Sequence, residues 1–456
     1  MKLPAHRRHD RRGSVLIVAM LVTAMLALVL GSYFNLSLTS SRQTRRTFDR
    51  NTAFHLTEAG VEEAVWSYNQ TLAGSADGWS GWNTDGVAAW RKFTDFTLTP
   101  GSVGSVKVYA SDTTPAAPAS PTIVAEASVQ TGGGTPATQM IEVTLRRRSF
   151  FANGLTALRT LLFRGNRTSF DSWDSDPDRD PATSPVDYSD TTKRDLGGIA
   201  SGAVENTAVL INHATIYGFV STAGATPQVG TDGLIGPFGT AAGAVDPARV
   251  ATDFNATFPV IAAPLDGELV YPLGETLGVA GETTRWRTPF IKLSGKETLT
   301  ILGHVTLVIT ALPGTTAIDI GGSASLVIPE GASLTVYFEG DLKIAGKGLG
   351  NSNVQPIACT LWGGNSTEAG QSIDIMGRGT LRAVVYAPNG DVTLTGDGDM
   401  MGSIVARDIT FSGNAAFHYD TSLSDLIDHA PYGPGNWRLI TSSAERQALG
   451  LRFSGW

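Results

Sequence analysis

From Val15 to Phe34 the chain carries no charged side chain, and no other stretch restricts the fold as severely. At about 1.5 Å per residue this run makes a helix roughly 30 Å long, the thickness of a bilayer core. Lys2, Arg7, Arg8, Arg11 and Arg12 precede it against a single Asp10, a balance that keeps the N-terminal end cytoplasmic and the bulk of the chain outside. A secretory signal has a shorter apolar core and a small-residue cleavage site, whereas this run passes into GSYFNLSLTSS. Residues 35–70 contain no proline, and Phe54, Val61, Ala64, Val65 and Tyr68 recur at helical spacing. Glu58, Glu62 and Glu63 lie off that stripe. The spacing predicts one helix over 14–70, on the order of 85 Å long, apolar in its first half and amphipathic in its second.

After Trp79 the pattern becomes an alternation. WRKFTDFTLT, GSVKVYAS, PTIVAEASVQ and TQMIEVTLRRR read as strands of a small sheet over 71–148, which Arg146, Arg147 and Arg148 close as a solvated strand end. From 149 to 423 short β segments recur, each followed by a glycine turn such as SGK, GGS, TGD or SGN. Strands of this spacing fit a stacked solenoid or a β-sandwich, and small residues repeated at the bends favour a right-handed β-helix. Residues 424–456 are expected to close it as a cap. The whole is therefore mainly β with one long N-terminal transmembrane helix. A content of 52 glycines and 22 prolines against 17% charged residues agrees with turn-rich β structure. The net charge of −8 argues against nucleic acid as a partner.

The basic leader, Gly13, small Ser14, the unbroken apolar helix and AFHLTEAGVEEAVWSYN at 53–69 together resemble the N-terminal region of PilX-type minor pilins and related pseudopilins. Ala53, Phe54, Glu58, Ala59, Gly60, Glu62 and Glu63 carry the motif, and the resemblance covers about the first 70 residues. It implies a prepilin leader over 1–13, cut by prepilin peptidase at the Gly13/Ser14 junction, with the new amine methylated and the helix retained. It also implies assembly with other pilins through the apolar face that includes Val15, Val18, Leu21, Leu28 and Phe34. Most major pilins carry glutamate at the fifth mature position, where it is understood to pair with a neighbour's terminal amine; Val18 stands there instead. That departure points to an initiator, tip or minor subunit. VVYAPNGDVTLTGDGDMMGSIVARDITFSGNAAFHYDTSL at 384–423 resembles a domain of unsettled role found behind pilin-like N-termini in bacterial envelope proteins. Adhesion to a surface glycan or a protein is the expected use of the β region, and an uncut membrane anchor displaying it is the alternative.

The chemical motifs are sparse. Asp174, Asp176, Asp178 and Asp180 alternate like a calcium loop, but Arg179 and Pro185 stand where an EF-hand needs glycine and glutamate. Asn389, Asp391, Asp397 and Asp399 read as tight-turn residues, with a calcium site at Asp391, Asp397 and Asp399 as a subsidiary expectation. His213, His304 and His418 sit beside alternating apolar residues as ordinary β-surface histidines. GKGLG at 346–350 and GDGDMMG at 396–402 lack the strand-to-helix setting of a nucleotide loop, and no HExxH, GxSxG or P-loop occurs. Cys359 reads as a buried small hydrophobe. No cofactor and no enzymatic activity is expected. A polysaccharide-active β-helix would be a third reading, with Asp374, Arg378, Arg382 and Asp391 meeting across coils.

Overall fold

The computed structural model describes residues 12–456 except Gly74, Pro100, 115–119, Gly133, 346–347, 368–369, 378–379, Asp428 and 455–456. The expected leader over 1–13 thus lies almost wholly outside the described residues. The chain is mainly β with one long apolar N-terminal helix, and it divides into two compact units. The first joins residues up to Arg147 with Pro431–Trp456, and the second is Arg148–Ala430.

In the first unit the helix Arg12–Leu72 runs without interruption for 61 residues. Its side chains are exposed from 15 to 48, and burial then begins. Ala53, Leu56, Thr57, Gly60, Val61, Ala64, Ser67 and Tyr68 form the buried stripe, spaced at three and four residues as one helix face requires. Phe54 and Val65, expected on the stripe, flank it half-buried. The stripe packs on an antiparallel sheet in the order Asn83–Thr84, Ala89–Thr99, Ser102–Ala110, Thr122–Thr131, Ala137–Arg147, Tyr432–Leu439. Val106, Val108, Ile123, Ala125, Ala127, Val129, Ile141 and Val143 are inward at every second position.

The sixth strand corrects the expectation of a cap at 424–456. Tyr432–Leu439 pairs antiparallel with Ala137–Arg147, from Tyr432 opposite Arg147 to Leu439 opposite Ile141. Asn69 on the helix fixes its start, donating to the Tyr432 carbonyl at 3.1 Å and accepting its N–H at 2.7 Å. The chain after it crosses to the opposite sheet face, where Ile440 and Phe453 bury Val124 and Met140. The β region is therefore inserted between the last two strands of the first sheet.

The second unit is built of parallel pairings. Taking one strand from each turn of chain, the order in space is 276–288, 298–309, 333–338, 359–363, 381–396, 400–411, 155–163, 197–201, 215–222 and 250–251. Register holds along columns of like residues: Ile291, Ile318, Leu342, Ile373, Val392, Ile409, Leu161 and Val209 stand side by side on successive strands, all buried. Burial of both β-branched and leucine side chains in such a column supplies roughly 1.5–3 kcal/mol for each side chain removed from water. The spatial order differs from the chain order. The segment Leu155–Phe163 lies beside Met400–Phe411, so the chain enters in the middle of the stack and builds outward to Val250–Ala251. It then crosses back through 252–267 to the opposite edge and returns. That crossing segment covers an aromatic column: Tyr337, Trp362 and Tyr386 are in register, Tyr386 donates to the Pro259 carbonyl at 2.6 Å, and Phe150 touches both Phe258 and Tyr386.

Asp420 ends the strand Ala416–Asp420 fully buried. Its Oδ1 accepts the N–H groups of Ser175 at 3.0 Å and Ser422 at 3.1 Å, while Oδ2 has no partner. Burial raises its pKa above the usual aspartate value, against the lowering by those bonds to Ser175 and Ser422. A carboxyl whose folded pKa is raised contributes its stability below the unfolded value of about 3.9 and loses it as pH rises through the folded value. Asp420→Asn keeps the accepting oxygen and removes the buried charge. The variant is expected to melt above the native protein at pH 7, with the gap narrowing toward pH 4; a pH-independent gap in thermal melts would contradict this account.

Candidate functional site

Two surfaces merit attention, and the first is the helix. Val15, Val18, Leu21, Leu28 and Phe34 are between 58% and 72% exposed. Val15–Leu72 is the stretch long and apolar enough to cross a membrane, with a mean hydropathy of 2.6 in its most apolar window, and its composition agrees with a single-pass anchor. Threonines within it turn their hydroxyls back onto the preceding turn, Thr23 onto the Ala19 carbonyl at 2.8 Å and Thr39 onto that of Asn35 at 2.8 Å, so they present little unpaired polarity. Gly13 and Ser14 fall within the first turn of the helix Arg12–Leu72.

Residues of the motif at 53–63 divide between structural tasks. Ala53 and Gly60 are buried against the sheet, Ala59 and Glu62 are exposed, and Glu58 and Glu63 are half-buried. Glu58 meets His55 at 3.0 Å and Glu63 meets Arg91 at 3.4 Å, both solvent-screened pairs. Gly60 has a steric reason to be glycine. A Cβ there would lie 2.7 Å from Val108 Cγ2 and 3.0 Å from Val106 Cγ2. Mid-helix glycine costs about 1 kcal/mol in propensity relative to alanine, whereas forcing extra carbon into a packed contact costs roughly 1–3 kcal/mol. Gly60→Val, which adds β-branching as well, is expected to destabilise the first unit by about 2–3 kcal/mol. A melt unchanged within about 0.5 kcal/mol would show that the helix does not press on the sheet there.

The second surface is the outer face of the parallel strands, where charged side chains stand in rows. Lys292, Asp319, Lys343 and Asp374 are in register on successive strands, alternating in sign. Nearby, Arg407 clasps Asp391 with Nε at 2.8 Å and Nη2 at 2.7 Å. Asp391 in turn raises the guanidinium's pKa. The next residue, Asp408, accepts from Thr160 N at 3.0 Å and Thr160 Oγ1 at 2.7 Å on the adjacent strand and pairs with Arg159 there. Burial alone would raise Asp408, but the bonds from Arg159 and Thr160 hold its carboxyl below the usual range.

These pairings decide the fate of the expected sites. Both Asp391 oxygens are engaged by Arg407, and Asp397 accepts from Asn414 Nδ2 at 3.2 Å. Asp399 lines a separate small cavity with Leu381 and Met400. Among the described residues no three His, Cys, Asp or Glu side chains could hold one metal ion, so the calcium expectation at Asp391, Asp397 and Asp399 is corrected. Nor do the described residues of the polysaccharide reading form one cluster. Arg382 bonds Asp187 at 2.8 Å, Asp391 is held by Arg407, Asp374 accepts from Ser372 at 3.2 Å, and Arg378 lies outside the described residues. Cys359 is fully buried and its thiol is pushed up to about 12 by burial, which leaves it protonated and inert.

The sequence did not disclose a cluster around His418. His418 Nδ1 lies 2.6 Å from Asp171 Oδ1, Tyr188 donates to Asp171 Oδ2 at 2.7 Å, and the Tyr188 ring lies 3.8 Å from that of His418. Burial and the Asp171 bond together raise the Tyr188 phenol, so it stays a donor. Tyr188 belongs to the segment that follows the acidic stretch, and polar contacts clamp that stretch: Asp174 to Arg179 at 2.8 Å and to Arg194 at 3.3 Å, Ser175 to Asp420 as above. Asp171 and His418 are 247 positions apart, so only the strand pairing reveals them. His213 and His304 meet Asp232 at 3.2 Å and Ser333 at 2.9 Å on the surface.

Residues 291–426 match a family described as a domain of unknown function, DUF7305. The match spans the strands from Ile291 through the Ala416–Asp420 row, and thus the greater part of the second unit's return path. No curated protein and no solved structure matches the chain.

Proposed function

We propose that the chain is a minor pilin or pseudopilin whose second unit is a right-handed β-helix. A single observation supports the assembly reading most: one unbroken helix passes from an exposed apolar half into an amphipathic half packed on an antiparallel sheet. A plain anchor has no need to continue as the core element of a domain. Parallel pairing between neighbouring strands, repeated through ten rows, supports the β-helix, and the near-universal right-handedness of parallel crossovers supports its hand. In this reading prepilin peptidase cuts at Gly13/Ser14 on the cytoplasmic side of the inner membrane. The helix then leaves the bilayer to pack its apolar face, including Val15, Val18, Leu21, Leu28 and Phe34, against other pilins of a type IV pilus or secretion pseudopilus. Valine at position 18 spares the subunit a buried carboxylate, whose burial is costly without a partner, and suits an initiator or tip position. The β unit is displayed outside the cell for adhesion to a glycan or a protein.

The deciding measurement is the intact mass and N-terminal sequence of the protein from cells with and without prepilin peptidase. A peptidase-dependent start at Ser14, abolished by Gly13→Leu, is the expected result. A start at Met1 in both strains would leave the second reading, a static envelope protein held by an uncut helix.

A further inference from the structure

On the second unit the crossing segment arches over the strand face and leaves a cavity of about 370 Å³ beneath it. This lies at the lower end of the ~300–1,000 Å³ typical of small-molecule sites. Its walls are apolar: Ile261 and Leu265 from the crossing segment, Val308, Tyr337 and Trp362 from three successive strands, and Leu312. Leu265 and Leu312 are 94% and 69% exposed, a degree unusual for leucine on a folded surface of this polarity.

One cation stands in that wall. Arg287, at the end of the strand Thr276–Thr288, has its Nε shut off from solvent with no hydrogen-bond partner. Two residues earlier Arg285 is satisfied by Asp266 at 2.5 Å, so the same strand pairs one guanidinium and leaves the Nε of the other without an acceptor. Buried polar atoms are nearly always bonded, so this guanidinium is left short of an acceptor, and an anion placed beside it in the cavity offsets that deficit. Glu339, the carboxylate among the lining residues, is exposed and makes no ion pair with Arg287. Nε is closed even to water, so an anion entering the cavity meets the Nη–H groups, whose planar cation suits a carboxylate better than a neutral head.

We infer that this cavity binds a small amphipathic carboxylate, its anionic head on the Arg287 guanidinium and its apolar body between the crossing segment and the Tyr337–Trp362 column. The inference is independent of whether the helix is cut or assembles. It can be tested by calorimetric titration of the full chain in nanodiscs, with empty nanodiscs subtracted, using 4-phenylbutyrate, 4-phenylbutanol and 4-phenylbutylammonium as probes. The carboxylate is expected to bind at least tenfold more tightly than the alcohol, and the ammonium least tightly. Arg287→Gln should bring the carboxylate down to the affinity of the alcohol, and Arg287→Lys, which keeps the charge and loses the planar Nη donors, should fall between. Glu339→Gln should leave the order of the three probes unchanged. Equal affinities for carboxylate and alcohol on the native chain, an Arg287→Gln variant of native melting temperature that still prefers the carboxylate, or no saturable binding up to millimolar probe would each overturn it.

Discussion

A chain ended after Ala430 is expected to lose the first unit and keep the second. The deleted segment follows the parallel strands in sequence, yet its strand is the partner of Ala137–Arg147 through seven register pairs, and its Tyr432, Ile440 and Phe453 are buried in the first unit. Phe54 also loses the edge contact with Trp437 at 5.5 Å, and Asn69 loses both of its bonds to Tyr432. At roughly 1.5–3 kcal/mol for each large side chain returned to water, the three buried residues alone account for about 5–9 kcal/mol. That is comparable with the entire stability of a typical domain, about 5–15 kcal/mol. Hydrogen exchange should show the amides of 89–147 unprotected and those of 381–411 still protected. Loss of protection in 400–420 with the first sheet intact would instead mean that the tail caps the parallel strands.

The second large effect is expected at Phe411. Its ring stacks on that of Phe163 at 4.8 Å with 13° between planes, both side chains are fully buried, and Phe417 meets it edge-on at 6.2 Å. Phe163 and Phe411 are opposite each other in register although the two strands are separated by most of the second unit's sequence. Phe411→Ala removes a ring from a closed interior and is expected to cost about 3–5 kcal/mol. In a double-mutant cycle with Phe163→Ala the coupling should be about 0.5–1.5 kcal/mol, the range for paired aromatic rings. Strictly additive effects would deny that these two strands adjoin.

The parts of this fold that show in the sequence are those set by local periodicity. The buried stripe from Ala53 to Tyr68 follows the 3.6-residue repeat, and Val106, Val108, Ile123 and Ala125 follow the two-residue repeat, because each is dictated by neighbours in the chain. The strand Tyr432–Leu439 is hidden for a physical reason. Gly433, Pro434 and Gly435 interrupt its alternation, as the sequence of an edge strand with a bulge can, and its partner lies nearly 300 residues earlier. That the second unit is built of short strands was legible from its glycine turns, while a stacked solenoid and a sandwich both fitted them. Their spatial order was not, since nothing in the residues of 155–163 specifies 400–411 as a neighbour rather than the next strand along. A like distance conceals the Asp171–His418 pair, whereas Asp391 and Arg407, 16 positions apart, and the residues around Arg287 are ordinary surface residues until strand pairing brings them together.

Because the first row of the second unit rests on the last, its stack cannot close in the order in which it is synthesised. Leu155–Phe163 can pair with Gly197–Ser201 as soon as both exist, but its other edge stays open until Met400–Phe411 has been made. That closing seam has a sequence separation of about 250 residues, the high contact order that makes folding slow and leaves an unpaired strand edge exposed meanwhile. The return strand Tyr432–Leu439 is later still, so the first sheet also waits for a strand made nearly 300 residues after its partner. Each unit therefore holds an open strand edge until one distant strand arrives, Met400–Phe411 for the second and Tyr432–Leu439 for the first.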